Sequence, residues 1–153
     1  MSKQHIVDQL TQNIELQLQT MQEAARTSHE ASTGEEGKAE GKYDTRGLEA
    51  SYLADAQAEQ CQTLQRSLHI FQSLTLDEFS SDEAIQGGAL VETAINGEIC
   101  YYLLTPCAGG ITIEHEGFDL ITISPEAPLY QSLIGCRMGE SIEQPALIIL
   151  DIS

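Results

Sequence analysis

The sequence predicts an α+β protein: a long antiparallel α-helical coiled-coil hairpin over residues 1–75, then a small antiparallel β-sheet domain with one short helix over residues 83–153. Three observations predict this fold class. Residues 2–32 contain neither proline nor glycine. Residues 44–74 form a second stretch rich in good helix formers. The pair Asn96-Gly97 lies between two β-branched and aromatic runs, which is typical of a β-hairpin.

The first predicted helix covers about residues 2–32. Its apolar and small residues recur at alternating intervals of three and four, the spacing of a coiled-coil seam. Gln17 fills one place in this seam, and the other members are Val7, Leu10, Ile14, Met21, Ala24 and Ser28.

The second predicted helix covers about residues 44–74 and carries a matching seam. Two such helices that fold back on each other form a hairpin about 45 Å long. The charged segment near residues 34–49 then lies at its tip, and the larger seam residues lie at its base. The seam consists of Ala50, Ala54, Gln57, Cys61, Leu64, Leu68 and Phe71.

Five or so strands and one helix are predicted for the second half. Residues 89–95 and 98–104 flank the hairpin turn, and "ITIEHEG", "DLITIS" and "PALIILDI" each predict a strand. The segment "PEAPLYQSLIG" predicts a short helix with Pro128 at its start and Gly135 at its end.

The charge of the chain is strongly acidic. Its 24 Asp and Glu against 7 Lys and Arg give a net charge of −17, and Arg137 is the single Lys or Arg after residue 74. This charge repels phosphate backbones and anionic membranes, so we expect no autonomous nucleic-acid binding and favour a basic protein partner. Without an apolar leader or a membrane-length apolar run, the protein is expected to be soluble and cytoplasmic.

Conventional catalytic or metal sites are not indicated. The four cysteines form no C-x-x-C pair and are expected to be buried or half-buried thiols. His115 is interpreted as a solvated residue rather than a metal ligand, and Cys107 as a structural thiol rather than a nucleophile. Tyr101 and Tyr102 are expected to face opposite sides of the sheet. No nucleotide-binding or catalytic-triad motif occurs.

One C-terminal segment carries a family resemblance. The stretch "ISPEAPLYQSLIG" and the following Gly139-Glu140 are similar to a pattern of the bacterial Gre family of transcript cleavage factors, GreA and GreB: I-S-x-x-S-P-L-x-x-A-L-L-G-x-x-x-G-D. Ala127, Ser132 and Glu140 depart mildly from it. The positions in step are Ile123, Ser124, Pro128, Leu129, Leu133, Ile134, Gly135 and Gly139.

The resemblance implies an accessory factor of RNA polymerase rather than an enzyme. The hairpin would enter the secondary channel, and an FKBP-like sheet domain would dock on the rim outside through Pro128, Leu129, Leu133 and Gly135. Tip carboxylates would help hold a Mg²⁺ shared with the polymerase site, where a backtracked transcript is hydrolysed. No cofactor would bind tightly to the free protein, and contact with nascent RNA would occur only within the polymerase.

The tip residues follow from the same resemblance. The family pattern D-L-K-E-N-A-E-Y corresponds here to "DTRGLEASY", which is one residue longer. Asp44 replaces the first acid, and either Glu49 or Glu40 is the candidate second ligand. In a helix that runs from Asp44, positions 44 and 49 lie about 140° apart and do not converge, unless Gly47 breaks or delays the helix. The candidate contacts to the transcript or polymerase are Lys42, Tyr43 and Arg46.

Other functions remain open at this point. A non-cleaving regulator would occupy the secondary channel without hydrolysis. A plain coiled-coil interaction module would involve no polymerase. A prolyl isomerase is a weaker alternative, because few aromatic residues are available to line its pocket: Tyr101, Tyr102, Phe118 and Tyr130.

Overall fold

The computed structural model describes the backbone of residues 3–33 and 44–153; of these, the side chains of residues 25, 28–33, 44–55 and 57 are not described. The elements follow in chain order: α1 (Lys3–Thr33), α2 (Asp44–Gln72), β1 (Leu90–Ile95), β2 (Glu98–Leu104), β3 (Thr112–His115), β4 (Phe118–Ile123), α3 (Pro128–Leu133), β5 (Ser141–Glu143) and β6 (Ala146–Ile152). No helix in the described part of the chain is long and apolar enough to cross a membrane.

Both long helices occur where the sequence predicts them. On α1, Val7, Leu10 and Ile14 are buried as expected. Gln17, however, is exposed, and Leu18 takes the buried position instead. The prediction for Gln17 was wrong because a straight α-helix has 3.6 residues per turn, so a strict heptad spacing drifts off the buried face.

The described part of α2 buries Cys61 and Phe71. Leu64 is half-buried, and it lines a shallow surface groove together with Gln17 and Met21 of α1. The coiled-coil hairpin itself stays a prediction.

Contacts between Cα atoms group the chain into two compact units. One contains Met1–Leu10 and Leu74–Ser153, and the other contains Thr11–Ser73. We refer to the first as the sheet unit. The start of α1 is therefore part of the sheet unit, where its apolar residues Ile6, Val7 and Leu10 are at most 1% exposed.

The sheet has six strands in the order β3-β4-β2-β1-β6-β5 and is mixed. Strands β2 and β4 pair in parallel, whereas the other pairs are antiparallel. The prediction of an antiparallel sheet was therefore wrong for this pair. Residue alternation indicates that a segment is a strand but does not indicate its neighbour, and here β3 intervenes in the chain so that β4 returns parallel to β2. The three-residue β5 was not predicted, because so short a segment carries no clear alternation.

The predicted hairpin turn is confirmed. β1 and β2 pair antiparallel from Leu90↔Leu103 to Ile95↔Glu98. Asn96 and Gly97 have φ angles of 53° and 81°. Two successive positive φ angles are typical of a type I′ turn, whose twist matches that of the flanking strands.

The two faces of the sheet are buried to different extents. We call the face that carries Tyr102, Leu104 and Ile149 the core face, because it packs with Leu133 of α3 in one apolar cluster. The opposite face carries Leu90, Leu103 and Leu120, which are at most 8% exposed. It also carries Ile148, which is half exposed. Tyr101 and Tyr102 lie on opposite faces, as predicted.

Candidate functional site

The predicted tip lies largely outside the described side chains. Glu40, Lys42 and Tyr43 lie outside the described residues. Asp44 and Glu49 are in the first turns of α2, as are Arg46 and Gly47. The helix is continuous through Gly47, so positions 44 and 49 are separated by about 140° around its axis. The assignment of these residues as ligands stays a prediction.

The C-terminal motif folds as a strand end, a turn and a short helix. Ile123 ends β4, and Pro128 opens α3, where its fixed φ and missing N–H cost nothing. The backbone N–H of Ala127 donates to the Ser124 carbonyl at 2.9 Å. Gly135 follows the helix with φ of +85°, a conformation that glycine adopts without strain. The predicted helix and its terminating glycine are thus confirmed.

Backbone hydrogen bonds fix the segment after α3 to two other parts of the sheet unit. The N–H of Gly135 donates to the Ile85 carbonyl, and the N–H of Ile85 donates to the Cys136 carbonyl, each at 2.8 Å. Further on, the N–H of Gly139 donates to the Ile149 carbonyl at 2.8 Å. The motif is therefore hydrogen-bonded to both of these parts of the sheet unit.

The motif serine participates in local packing. A Cβ atom on Gly109 would lie 2.6 Å from the Ser124 hydroxyl oxygen and 2.9 Å from its backbone nitrogen, so only glycine fits there. The Glu126 carboxylate accepts hydrogen bonds from the backbone N–H of Glu126 and from the Ser124 hydroxyl, and these bonds lower its pKa. Ser124 thus holds the turn before α3 in place.

The four predicted docking residues differ in exposure. Pro128 and Gly135 are exposed, and Leu129 is half-buried. Leu133 is fully buried in the apolar cluster. A fully buried side chain offers no surface to a partner, so any contribution of Leu133 to docking would come from the position it gives to α3.

His115 is not solvated, contrary to the sequence-based interpretation. It is 5% exposed, and its ring packs edge-on against Tyr101 with ring centroids 4.8 Å apart. Among the residues that the structure describes, its Nδ1 atom has no hydrogen-bond partner. Burial first, and the nearby Glu92 and Glu116 carboxylates second, raise the pKa of Tyr101. The interpretation was wrong because β3 turns this side chain toward the opposite face, where it packs against Tyr101 and is the cross-strand partner of Phe118.

The cysteines have the environment that the sequence predicts. Cys61 is buried, Cys100, Cys107 and Cys136 are half-buried, and all four are free thiols. Burial is the main cause that raises the pKa of Cys100 and of Cys136, which disfavours the reactive thiolate. Within the part of the chain that the structure describes, no group of three His, Cys, Asp or Glu side chains could hold a metal ion.

No residue pattern indicated the buried lysine of the sheet unit. Lys3 is 6% exposed, and its Nζ donates to the Asp77 carbonyl at 2.6 Å and to the Gly88 carbonyl at 2.9 Å. The ammonium also lies 4.7 Å from the ring centroid of Phe79. These contacts tie the start of α1 to two loops. Burial lowers the pKa of Lys3 to about 8, and the charges of Glu78 and Asp77 offset part of this effect.

A pH dependence of stability follows from Lys3. Between about pH 8 and the ordinary lysine value of 10.5, the unfolded chain retains a proton that the folded chain has lost. The free energy of unfolding contributed by this group therefore rises with pH across that window. We expect the Tm of the wild type, relative to that of Lys3→Met, to be higher at about pH 10 than at about pH 7.

Thermal unfolding of both proteins, followed by circular dichroism at each pH, measures this difference. Gln4→Met, at the exposed neighbouring position, serves as the control and should follow the wild type. If the Tm of the wild type and that of Lys3→Met changed with pH in parallel, the pH dependence could not be assigned to Lys3.

The described residues define an α+β protein with two long helices and a mixed six-stranded sheet. No protein-family model matches the chain, and no curated protein matches it. Among solved structures it is similar to the GreA factor homolog 1 (Gfh1) protein of Thermus thermophilus, with 21% identity over 98% of this chain and 94% of that chain and a TM-score of 0.37. It is also similar to Thermus aquaticus Gfh1, with 20% identity over 92% of this chain and 92% of that chain and a TM-score of 0.36. A further similar structure is that of the transcription factor Gfh1, with 22% identity over 93% of this chain and 92% of that chain and a TM-score of 0.37.

Proposed function

We propose that the protein is a Gre-type accessory factor of RNA polymerase. In this function the two long helices insert into the secondary channel as a hairpin, and the sheet unit docks outside. The proposal is carried by the motif segment 123–139, which follows two long helices and forms a hydrogen-bonded turn-helix-turn with Leu133 buried and Gly135 at positive φ. The positions that resemble the family pattern are thus those that shape this segment.

The tip would supply the chemistry. Asp44, with Glu49 or Glu40, would help the polymerase hold a Mg²⁺, because carboxylate oxygens are preferred ligands of this hard cation. The chemistry that the bound ion would supply is the orientation of the attacking water. Lys42, Tyr43 and Arg46 would contact the transcript or the surrounding polymerase. The Lys and Arg residues matter because an all-acidic tip would be repelled by RNA.

Transcript cleavage in halted elongation complexes tests the proposal. We expect the wild type to bind core RNA polymerase and shorten backtracked RNA, and Asp44→Ala to lower the cleavage rate by about tenfold or more. Glu59→Ala removes an exposed acid elsewhere on α2 and should retain the wild-type rate. If no polymerase is retained by the purified full chain, the association itself is refuted.

A second candidate function is favoured by one observation. Because α2 is continuous through Gly47, Asp44 and Glu49 occupy different sides of the helix. A tip with one acid would occupy the channel without completing a metal site. If the protein is a non-cleaving regulator, it should still bind polymerase tightly. Backtracked RNA should then stay intact with the wild type and with Asp44→Ala alike.

A further inference from the structure

The opposite face of the sheet carries an exposed apolar area next to two carboxylates. Ile148 and Leu150 of β6 are 50% and 40% exposed. Ala94 of β1 is the cross-strand partner of Ile148, and Glu92 is the partner of Asp151. We call these five residues the acidic-apolar patch: Glu92, Ala94, Ile148, Leu150 and Asp151.

A β-bulge produces this arrangement. The β1–β6 register passes from Glu92↔Asp151 to Thr93↔Ile149, so Leu150 has no partner of its own. A bulge of this kind places two residues opposite one and redirects a side chain. Leu150 is thereby turned outward beside Asp151 instead of joining Ile149, which is 1% exposed, in the core.

The two carboxylates of the patch belong to residues that lie directly opposite each other on neighbouring strands. Like charges directly opposite each other on neighbouring strands are destabilising. Asp151 accepts a hydrogen bond from the Ser81 hydroxyl at 2.7 Å, which is a neutral donor. Glu92 lies near the Tyr101 hydroxyl, which is also neutral.

The sheet unit has little positive charge available to neutralise this pair. Lys3 and Arg137 are the Lys and Arg residues in its sequence. The Arg137 guanidinium donates to the Asp82 carbonyl at 2.6 Å, and the Lys3 ammonium donates to the Asp77 and Gly88 carbonyls. Both cations are therefore bound to backbone carbonyls. The Arg137 guanidinium lies at Asp82, the residue after the Ser81 that donates to Asp151.

We propose that the acidic-apolar patch is a docking surface for a basic amphipathic protein segment, with apolar side chains against Ile148 and Leu150 and Lys or Arg against Glu92 and Asp151. Exposed apolar area bordered by charge is typical of protein interaction sites. Charge complementarity selects the partner, since a second copy would bring two chains of net charge −17 and four patch carboxylates together. Nucleic acid and anionic membranes are repelled for the same reason.

This surface lies on the side of the sheet away from α3 and its motif, and the proposal does not rest on the association with polymerase. α3 packs on the core face through Leu133, whereas Ile148 belongs to the opposite face. Failure of either proposal would leave the other standing.

Methyl NMR on the full-length protein tests the proposal. The probe is a synthetic 14-residue helical peptide of Lys and Leu, with leucines at i, i+3, i+4 and i+7 spacing. We expect saturable shifts at Ala94, Ile148 and Leu150 and no binding of the matched Glu–Leu peptide. Leu150→Ser should weaken binding by about tenfold, the loss of one well-placed apolar anchor.

The matched control is Ile134→Ser, because Ile134 is 41% exposed and lies beyond α3. It should bind the peptide as the wild type does. The double variant Glu92→Gln, Asp151→Asn should lose most of the salt dependence of binding. Absence of binding, equal affinity for Leu150→Ser and wild type, or shifts spread over other acidic surfaces would overturn the proposal. Concentration-dependent shifts without peptide would assign the patch to a second copy instead.

Discussion

Leu133→Ala is expected to lower the free energy of unfolding of the sheet unit by about 2–5 kcal/mol. Leu133 is fully buried, and it packs with Tyr102, Leu104 and Ile149 in the apolar cluster between α3 and the sheet. Truncation to alanine removes the transfer free energy of the lost methyl groups and leaves a cavity that a rigidly hydrogen-bonded segment cannot close. Urea unfolding, followed by tyrosine fluorescence, measures the change.

The adjacent residue gives a matched control. Ile134 is 41% exposed, so Ile134→Ala should change stability by less than about 0.5–1 kcal/mol. Equal losses for the two variants would show that Leu133 is not a core residue. If Leu133→Ala weakened polymerase binding while leaving stability intact, Leu133 would instead be a direct docking contact.

Phe71→Ala is expected to have the second large effect, about 3–5 kcal/mol. Phe71 lies in the last turn of α2 and is 1% exposed. Because isolated helices gain most of their stability from packing, loss of this ring should also reduce the helix content of residues 11–73 at moderate temperature. The far-ultraviolet circular dichroism signal at 222 nm, a wavelength that reports helix, measures this loss during thermal unfolding.

Ile70→Ala controls for helix propensity at the neighbouring position. Ile70 is 40% exposed, and alanine is the better helix former, so its replacement should leave the melting curve close to that of the wild type. A melting curve of Phe71→Ala that superimposes on that of Ile70→Ala would rule out a core position for the ring.

The elements that the sequence predicted correctly depend on local rules. Helix propensity indicated both long helices to within two residues at the described ends. Asn96-Gly97 specified its hairpin because two positive φ angles are needed there, and Pro128 and Gly135 bounded a short helix for equally local reasons. For the candidate site, the same rules located the motif but not the exposure of its residues.

Most of what sequence analysis got wrong or missed concerns neighbours that are distant in sequence. His115 alternates along β3 like an exposed residue, yet its ring packs against Tyr101 of β2 because β4 pairs with both β3 and β2. Lys3 resembles an ordinary helix-start lysine until its ammonium is seen between the carbonyls of Asp77 and Gly88. The outward turn of Leu150 depends on a bulge that only the pairing of β6 with β1 defines.

Composition, periodicity and turn chemistry specified the α+β class, the strong negative charge and the positions of most helices and strands, because these signals act over a few residues. Long-range contacts were needed to define the parallel pair within the sheet, the burial of Lys3 and His115, and the acidic-apolar patch. These features arise when segments that are tens of residues apart pack together. The free energy gained by burying apolar side chains then outweighs the local conformational preference of each segment.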